Sequence, residues 1–68
     1  MKITMNDIRA GGGCAPGLRA FFSRYGLDLP AFLRDGFIES ALLLGTQDAL
    51  AIRIVDIAKA RQEAPNGG

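Results

Sequence analysis

Three groups of residues in this chain are of types that do chemistry, and each lacks something the chemistry needs. The first is Gly11-Gly12-Gly13-Cys14-Ala15-Pro16-Gly17, which has the glycine density of a phosphate-binding loop. A dinucleotide-binding turn using Gly11 and Gly13 needs a third glycine where Pro16 stands. A triphosphate loop running from Gly12 to Gly17 needs Lys and then Ser or Thr, whereas Leu18 and Arg19 follow. The segment is therefore expected to be a flexible connector between helices.

The second group is Cys14 alone. It lies just ahead of an expected helix start, a position from which reactive thiols often work. The chain has no histidine, so no imidazole base can activate Cys14 or any serine. Cys14 is expected to be a buried, inert thiol. One cysteine without histidine cannot build a structural zinc cage, so no metal and no cofactor is expected. The third group is Asp28, Asp35 and Glu39, carboxylates that would do acid–base work if they met in space. Helix caps and solvated helix ends account for them more simply. No catalytic residue is assigned, and the chain is not expected to be an enzyme.

The residues with a binding rather than a catalytic character are arginines. Arg19 and Arg24 fall in one expected helix and Arg34 in the next, with Arg9 a candidate fourth member. On a shared face they would meet phosphate or an acidic partner protein; on separate faces they are solvated surface. The net charge of +1 has no basic block behind it, so nucleic acid is an unfavoured partner. A helix-turn-helix reading fails on its would-be recognition helix, Leu29 to Asp35, which is short and carries a single basic residue.

These groups need elements to position them. Thr4-Met5-Asn6-Asp7 resembles a capping box with Asp in place of Glu, opening a short helix from about Met5 to Ala10 that Gly11 stops. A second helix is expected from Pro16, with Leu18, Phe21, Phe22 and Tyr25 on one face and Gly26 as its left-handed stop. Asp28 and Pro30 start a third, with Phe32 and Leu33 buried and Gly36 at its end. Glu39 to Leu44 is a further helical turn closed by Gly45. Thr46 is expected to cap the last helix, which runs to about Arg61, with Lys59 and Arg61 at its dipole-favoured end. Residues 64–68, with Pro65 and Gly67, read as a flexible C-terminal tail.

The resulting expectation is an all-α fold: residues 1–63 form one small compact bundle of three principal helices plus short helical turns. Its core would draw on Ile8, Leu18, Phe21, Phe22, Tyr25, Phe32, Leu33, Leu42, Leu43, Leu50, Ile54 and Ile57. Hydrophobic residues make up 49% of the 68, too many for a disordered chain. A domain of this size buries only about 60% of its unfolded surface, so a partner would help it. Met1 to Ala10 alternates apolar with polar residues, unlike a secretory leader, and Ala41 to Leu44 is too short to span a bilayer. The expected location is the cytoplasm or a particle assembled there, with no membrane partner.

One helix has more apolar surface than its own domain needs. On a wheel at about 100° per residue, Ile57, Leu50, Ile54, Ala58, Ala51, Val55 and Ile52 cover an arc of roughly 220°. A surface helix needs about 100°. Either this helix is a central strut packed on two sides, or part of the arc, represented by Ile52 and Val55, faces another molecule.

A pattern also runs through the chain: Cys14-x-x-Gly17-x-Arg19-x-Phe21-Phe22, Gly26-Leu27-Asp28, Phe32-Leu33-Arg34-x-Gly36, Leu43, and Asp48-Ala49-x-Ala51-x-Arg53-x-Val55. It resembles a family of small proteins encoded in bacteriophages and prophages of proteobacteria, over nearly the whole length. The pattern consists of structure-setting residues and has no catalytic signature. Gly11-Gly12-Gly13 is richer in glycine than that family, and Phe37 stands where Ile is more usual. The resemblance implies a phage-encoded accessory protein. The leading expectation is a non-catalytic structural or assembly protein of the phage virion. It would bind a larger virion protein near the portal or head-to-tail connection, or self-associate, using Arg19, Arg24, Arg34, Ile52 and Val55. The alternatives are a regulator or inhibitor that binds a host protein and, more weakly, a small DNA-binding protein.

Overall fold

Helix starts in this protein follow from which side chain can satisfy the first free N–H groups. The computed structural model describes residues 1–63, so the expected tail at 64–68 lies outside the described residues. Strand β1 (Lys2–Thr4) runs directly into α1 (Met5–Ala10) through the capping box at Thr4 and Asp7. Helix α2 (Ala15–Arg24) starts at Cys14 without a side-chain cap and takes Pro16 into its first turn. Asp28 caps α3 (Leu29–Asp35) by accepting from the Ala31 N–H at 3.0 Å. Gly26 and Gly36 adopt positive φ, 66° and 83°, and turn the chain out of α2 and α3 as expected.

Strand β2 (Phe37–Glu39) and α4 (Ser40–Leu44) precede the long α5 (Ala49–Gln62). The cap of α5 is Asp48, which accepts from the N–H groups of Leu50 and Ala51, and not Thr46 as the sequence suggests. Thr46 instead donates to the Leu43 carbonyl at 2.7 Å and accepts from the Asp48 N–H, holding the turn that delivers the cap.

The expected all-α bundle of three principal helices is corrected on two counts. The described residues form five helices, and they include a two-stranded antiparallel sheet. Its register pairs Lys2 with Glu39, Ile3 with Ile38 and Thr4 with Phe37. Three-residue strands are too short to show an alternating pattern, and their ladder closes only between segments far apart in the chain. The pairing puts Ile3 and Ile38 side by side in the core, fully buried and 6% exposed respectively. On the other face Lys2 Nζ stands 4.5 Å from the centre of the Phe37 ring.

Every element contributes to one core. Ile3, Ile8, Leu18, Phe22, Phe32, Ile38, Leu43, Ala51, Ile54, Val55 and Ala58 form a single buried cluster. Phe22 and Phe32 meet at 5.4 Å between ring centres and lock α2 to α3. Of the expected core residues, Phe21, Tyr25 and Ile57 are half-buried, while Leu33, Leu42 and Leu50 are exposed. Short helices explain Leu33 and Leu42: α3 and α4 each bury one residue, Phe32 and Leu43, and the sheet adds Ile3 and Ile38 to the core.

Helix α5 packs against both α1 and α4, but it is not the central strut of the wide apolar arc, because only part of that arc is buried. Its buried residues Ala51, Ile54, Val55 and Ala58 follow i, i+3, i+4, i+7 spacing, a stripe of about 100°. Ile52 and Leu50 flank that stripe and are 42% and 46% exposed. Val55 belongs to the core and is not available to another molecule; Ile52 is.

The glycine run is a packed turn and not a loose connector. A Cβ on Gly11 would come within 2.7 Å of Ile54 Cγ1, and one on Gly13 would overlap Ile8 Cγ2. The turn lies against α1 and α5 because nothing larger than hydrogen projects from it.

Candidate functional site

Two part-buried polar contacts tie distant parts of the chain together. Asp7 is only 6% exposed. Its carboxylate accepts from the Thr4 N–H at 2.9 Å, the Thr4 hydroxyl at 3.1 Å and Arg61 Nη1 at 3.0 Å. The sequence places Arg61 at a helix end for its dipole; the fold swings it onto Asp7 and so clamps the C-terminal end of α5 to the capping box of α1. Gln62 adds a bond to the Lys2 carbonyl at 3.0 Å.

The second contact joins α2 to the start of α5. The Tyr25 hydroxyl donates to Asp48 Oδ2 at 2.6 Å. This bond holds the Asp48 carboxyl below the usual carboxylate range, helped by the N–H groups of Leu50 and Ala51. The same bond, with desolvation second, pushes the Tyr25 phenol up. Both contacts are structural, since each group is already engaged.

The candidate chemical groups are dispersed. Cys14 is exposed, contrary to the buried thiol expected, because Leu18 and Phe22 carry the inward face of α2 and Cys14 lies outside it at the cap. Among the described residues no group of three His, Cys, Asp or Glu is placed to hold a metal ion. No helix among the described residues is long and apolar enough to cross a membrane.

The three carboxylates do come together, around a cleft that has Phe32, Phe37 and Leu42 in its lining beside Asp28, Asp35 and Glu39. None of the three is a free base. Asp28 caps α3, Arg34 pairs with Asp35 at 3.0 Å, and the Met1 amine pairs with Glu39 at 3.3 Å. The Arg34 guanidinium holds the Asp35 carboxyl below its usual range.

The arginines separate. Arg19 and Arg9 line one cleft with Met5, Leu18, Leu29 and Leu33. Arg24 lines another with Phe21, Tyr25, Asp48 and Leu50, and its guanidinium carbon lies 5.4 Å from the centre of the Tyr25 ring. Arg34 lines neither and is held by Asp35. The one of these clefts with both arginines and several aliphatic side chains is the Arg9–Arg19 cleft, of about 410 Å³. The sequence points to Arg9 and Arg19 but not to Leu33, whose spacing suggests a core position. Its 68% exposure next to two arginines is visible only once Phe32 has taken the inward position of α3.

No protein-family model matches the chain, and neither a curated protein nor a solved structure matches it.

Proposed function

We propose that this chain is a non-catalytic structural or assembly protein of a bacteriophage, acting by docking its exposed aliphatic surface on a larger virion protein. The observation that carries the docking role is the set of large aliphatic side chains left outside a small core. Leu33, Leu42, Leu50, Leu44 and Ile52 are 68%, 55%, 46%, 43% and 42% exposed. Single exposed aliphatics are ordinary; five on so small a domain support a reading in which another molecule covers part of this surface. The phage context rests on the resemblance of the Cys14 to Val55 pattern. A domain of marginal intrinsic stability gains from such a partner by mass action.

The test is mass spectrometry of purified particles of a phage encoding this chain, with copy number measured against the major capsid protein. A fixed stoichiometry supports the virion role, and a symmetric copy number favours the head-to-tail connection. Absence from particles, with the protein present in infected cells, overturns the virion role in favour of a regulator that binds a host protein.

A further inference from the structure

Helix α3 presents two clefts of opposite charge on different sides. On one side Asp28, Ala31, Phe32 and Asp35 line the acidic-rimmed cleft, which Phe37, Glu39 and Leu42 complete. On the other side Leu29 and Leu33 line the cleft rimmed by Arg9 and Arg19. At about 100° per residue the centres of these two sets lie roughly 130° apart around the helix. Each cleft has an exposed leucine at its edge, Leu42 at the acidic one and Leu33 at the basic one.

Among the described residues the basic rim is free to meet a partner. Arg9 and Arg19 are exposed and make no ion pair among the described residues. The acidic rim is only partly neutralised: Arg34 donates to both oxygens of Asp35, at 3.0 and 3.4 Å, the Met1 amine holds one oxygen of Glu39, and Asp28 uses one oxygen for its cap, so three carboxylates face two cations and one negative charge is left over. Apolar cleft with basic rim and apolar cleft with acidic rim are complementary in both hydrophobicity and sign.

We propose that the protein associates with itself head to tail, the arginine-rimmed cleft of one copy receiving the acidic-rimmed cleft edge of the next. Two different surfaces meet, so the contact is heterologous, and a growing assembly keeps one unused cleft at each of its two ends. Such a contact builds a closed ring or an open filament and does not stop at a symmetric dimer. The inference extends the proposed structural role by naming a second copy as one occupant of the exposed aliphatic surface. It is tested on purified protein, so its failure is distinct from absence from phage particles.

The experiment is sedimentation velocity on the full chain from about 1 to 500 µM at low and high salt. Three proteins are compared: the parent, Arg19→Gln/Leu33→Gln, and Asp35→Asn/Leu42→Gln. All altered side chains are exposed, and circular dichroism confirms that each variant is folded. The parent is expected to grow past a dimer with concentration and to dissociate as salt rises. Each variant alone is expected to stay monomeric. Mixed in equal amounts, the two variants retain one intact cleft of each kind between them and form a one-to-one pair that grows no further. A parent that stays monomeric at the highest concentration, or that stops at a dimer, overturns the proposal. So does a mixture that contains no pair.

Discussion

Replacing Asp7 by alanine tests how this small domain holds its ends together. The substitution removes three hydrogen bonds at once, to the Thr4 N–H, the Thr4 hydroxyl and Arg61. Loss of a helix cap costs about 1 kcal/mol. The ion pair adds about 1 kcal/mol and not the 3–5 kcal/mol of a fully buried pair. The reason is that the Arg61 side chain is 46% exposed and returns to water when its partner leaves. The total is about 2 kcal/mol, against the ~3–5 kcal/mol that a core of this size supplies. Each kcal/mol lowers Tm by roughly 4–8 °C in a domain of this length, so Asp7→Ala should melt about 8–16 °C below the parent. Thermal unfolding followed by circular dichroism measures it. A double-mutant cycle with Arg61→Ala should return a coupling of about 1 kcal/mol. A Tm drop under about 4 °C, or no coupling, would refute the claim that this clamp joins α1 to α5.

Two further outcomes follow from particular contacts. Tyr25→Phe removes the bond to Asp48, and its effect should depend on pH at both ends. Because the Asp48 carboxyl is lowered in the folded state, that stabilisation is present above the unfolded value and fades as pH falls below about 4. Because the Tyr25 phenol is raised, its share is present below about pH 10 and fades as pH rises through the folded value. The Tm difference between parent and variant should therefore be widest from about pH 5 to 9 and close outside that window; a difference constant from pH 3 to 11 would contradict the assignment. Gly11→Ala should cost about 1–3 kcal/mol, because its Cβ meets Ile54 Cγ1 at 2.7 Å inside a packed contact. A urea midpoint equal to the parent's would show that the turn is as loose as its composition suggests.

The local signals in the chain were legible because they act within a few residues. The Thr4–Asp7 capping box, the Pro16 and Pro30 helix starts, the Asp28 cap and the stops at Gly26 and Gly36 all stand where the sequence puts them. So does the i, i+3, i+4 pattern that buries Leu18 and Phe22. The core was legible only in part even on the two longest helices: Leu18, Phe22 and Ile54 are buried as expected, while Leu50 is exposed and Phe21, Tyr25 and Ile57 are half-buried.

Tertiary structure decided the rest, and in each case the deciding partner lies far along the chain. Ile3 becomes a core residue only when Ile38 pairs beside it, and Leu33 and Leu42 lie outward because α3 and α4 each bury one residue, Phe32 and Leu43. Gly11 and Gly13 become packing positions only when Ile54 and Ile8 arrive against them. Arg61 changes from a dipole-compensating end residue into a clamp on Asp7, and Asp28, Asp35 and Glu39 gather around one cleft while Arg9 and Arg19 gather around another. Capping, helix stops and periodicity are properties of neighbouring backbone, which a linear reading contains. Volume competition in the core and the convergence of charges on a surface depend on where separate elements come to rest, which only the folded chain fixes.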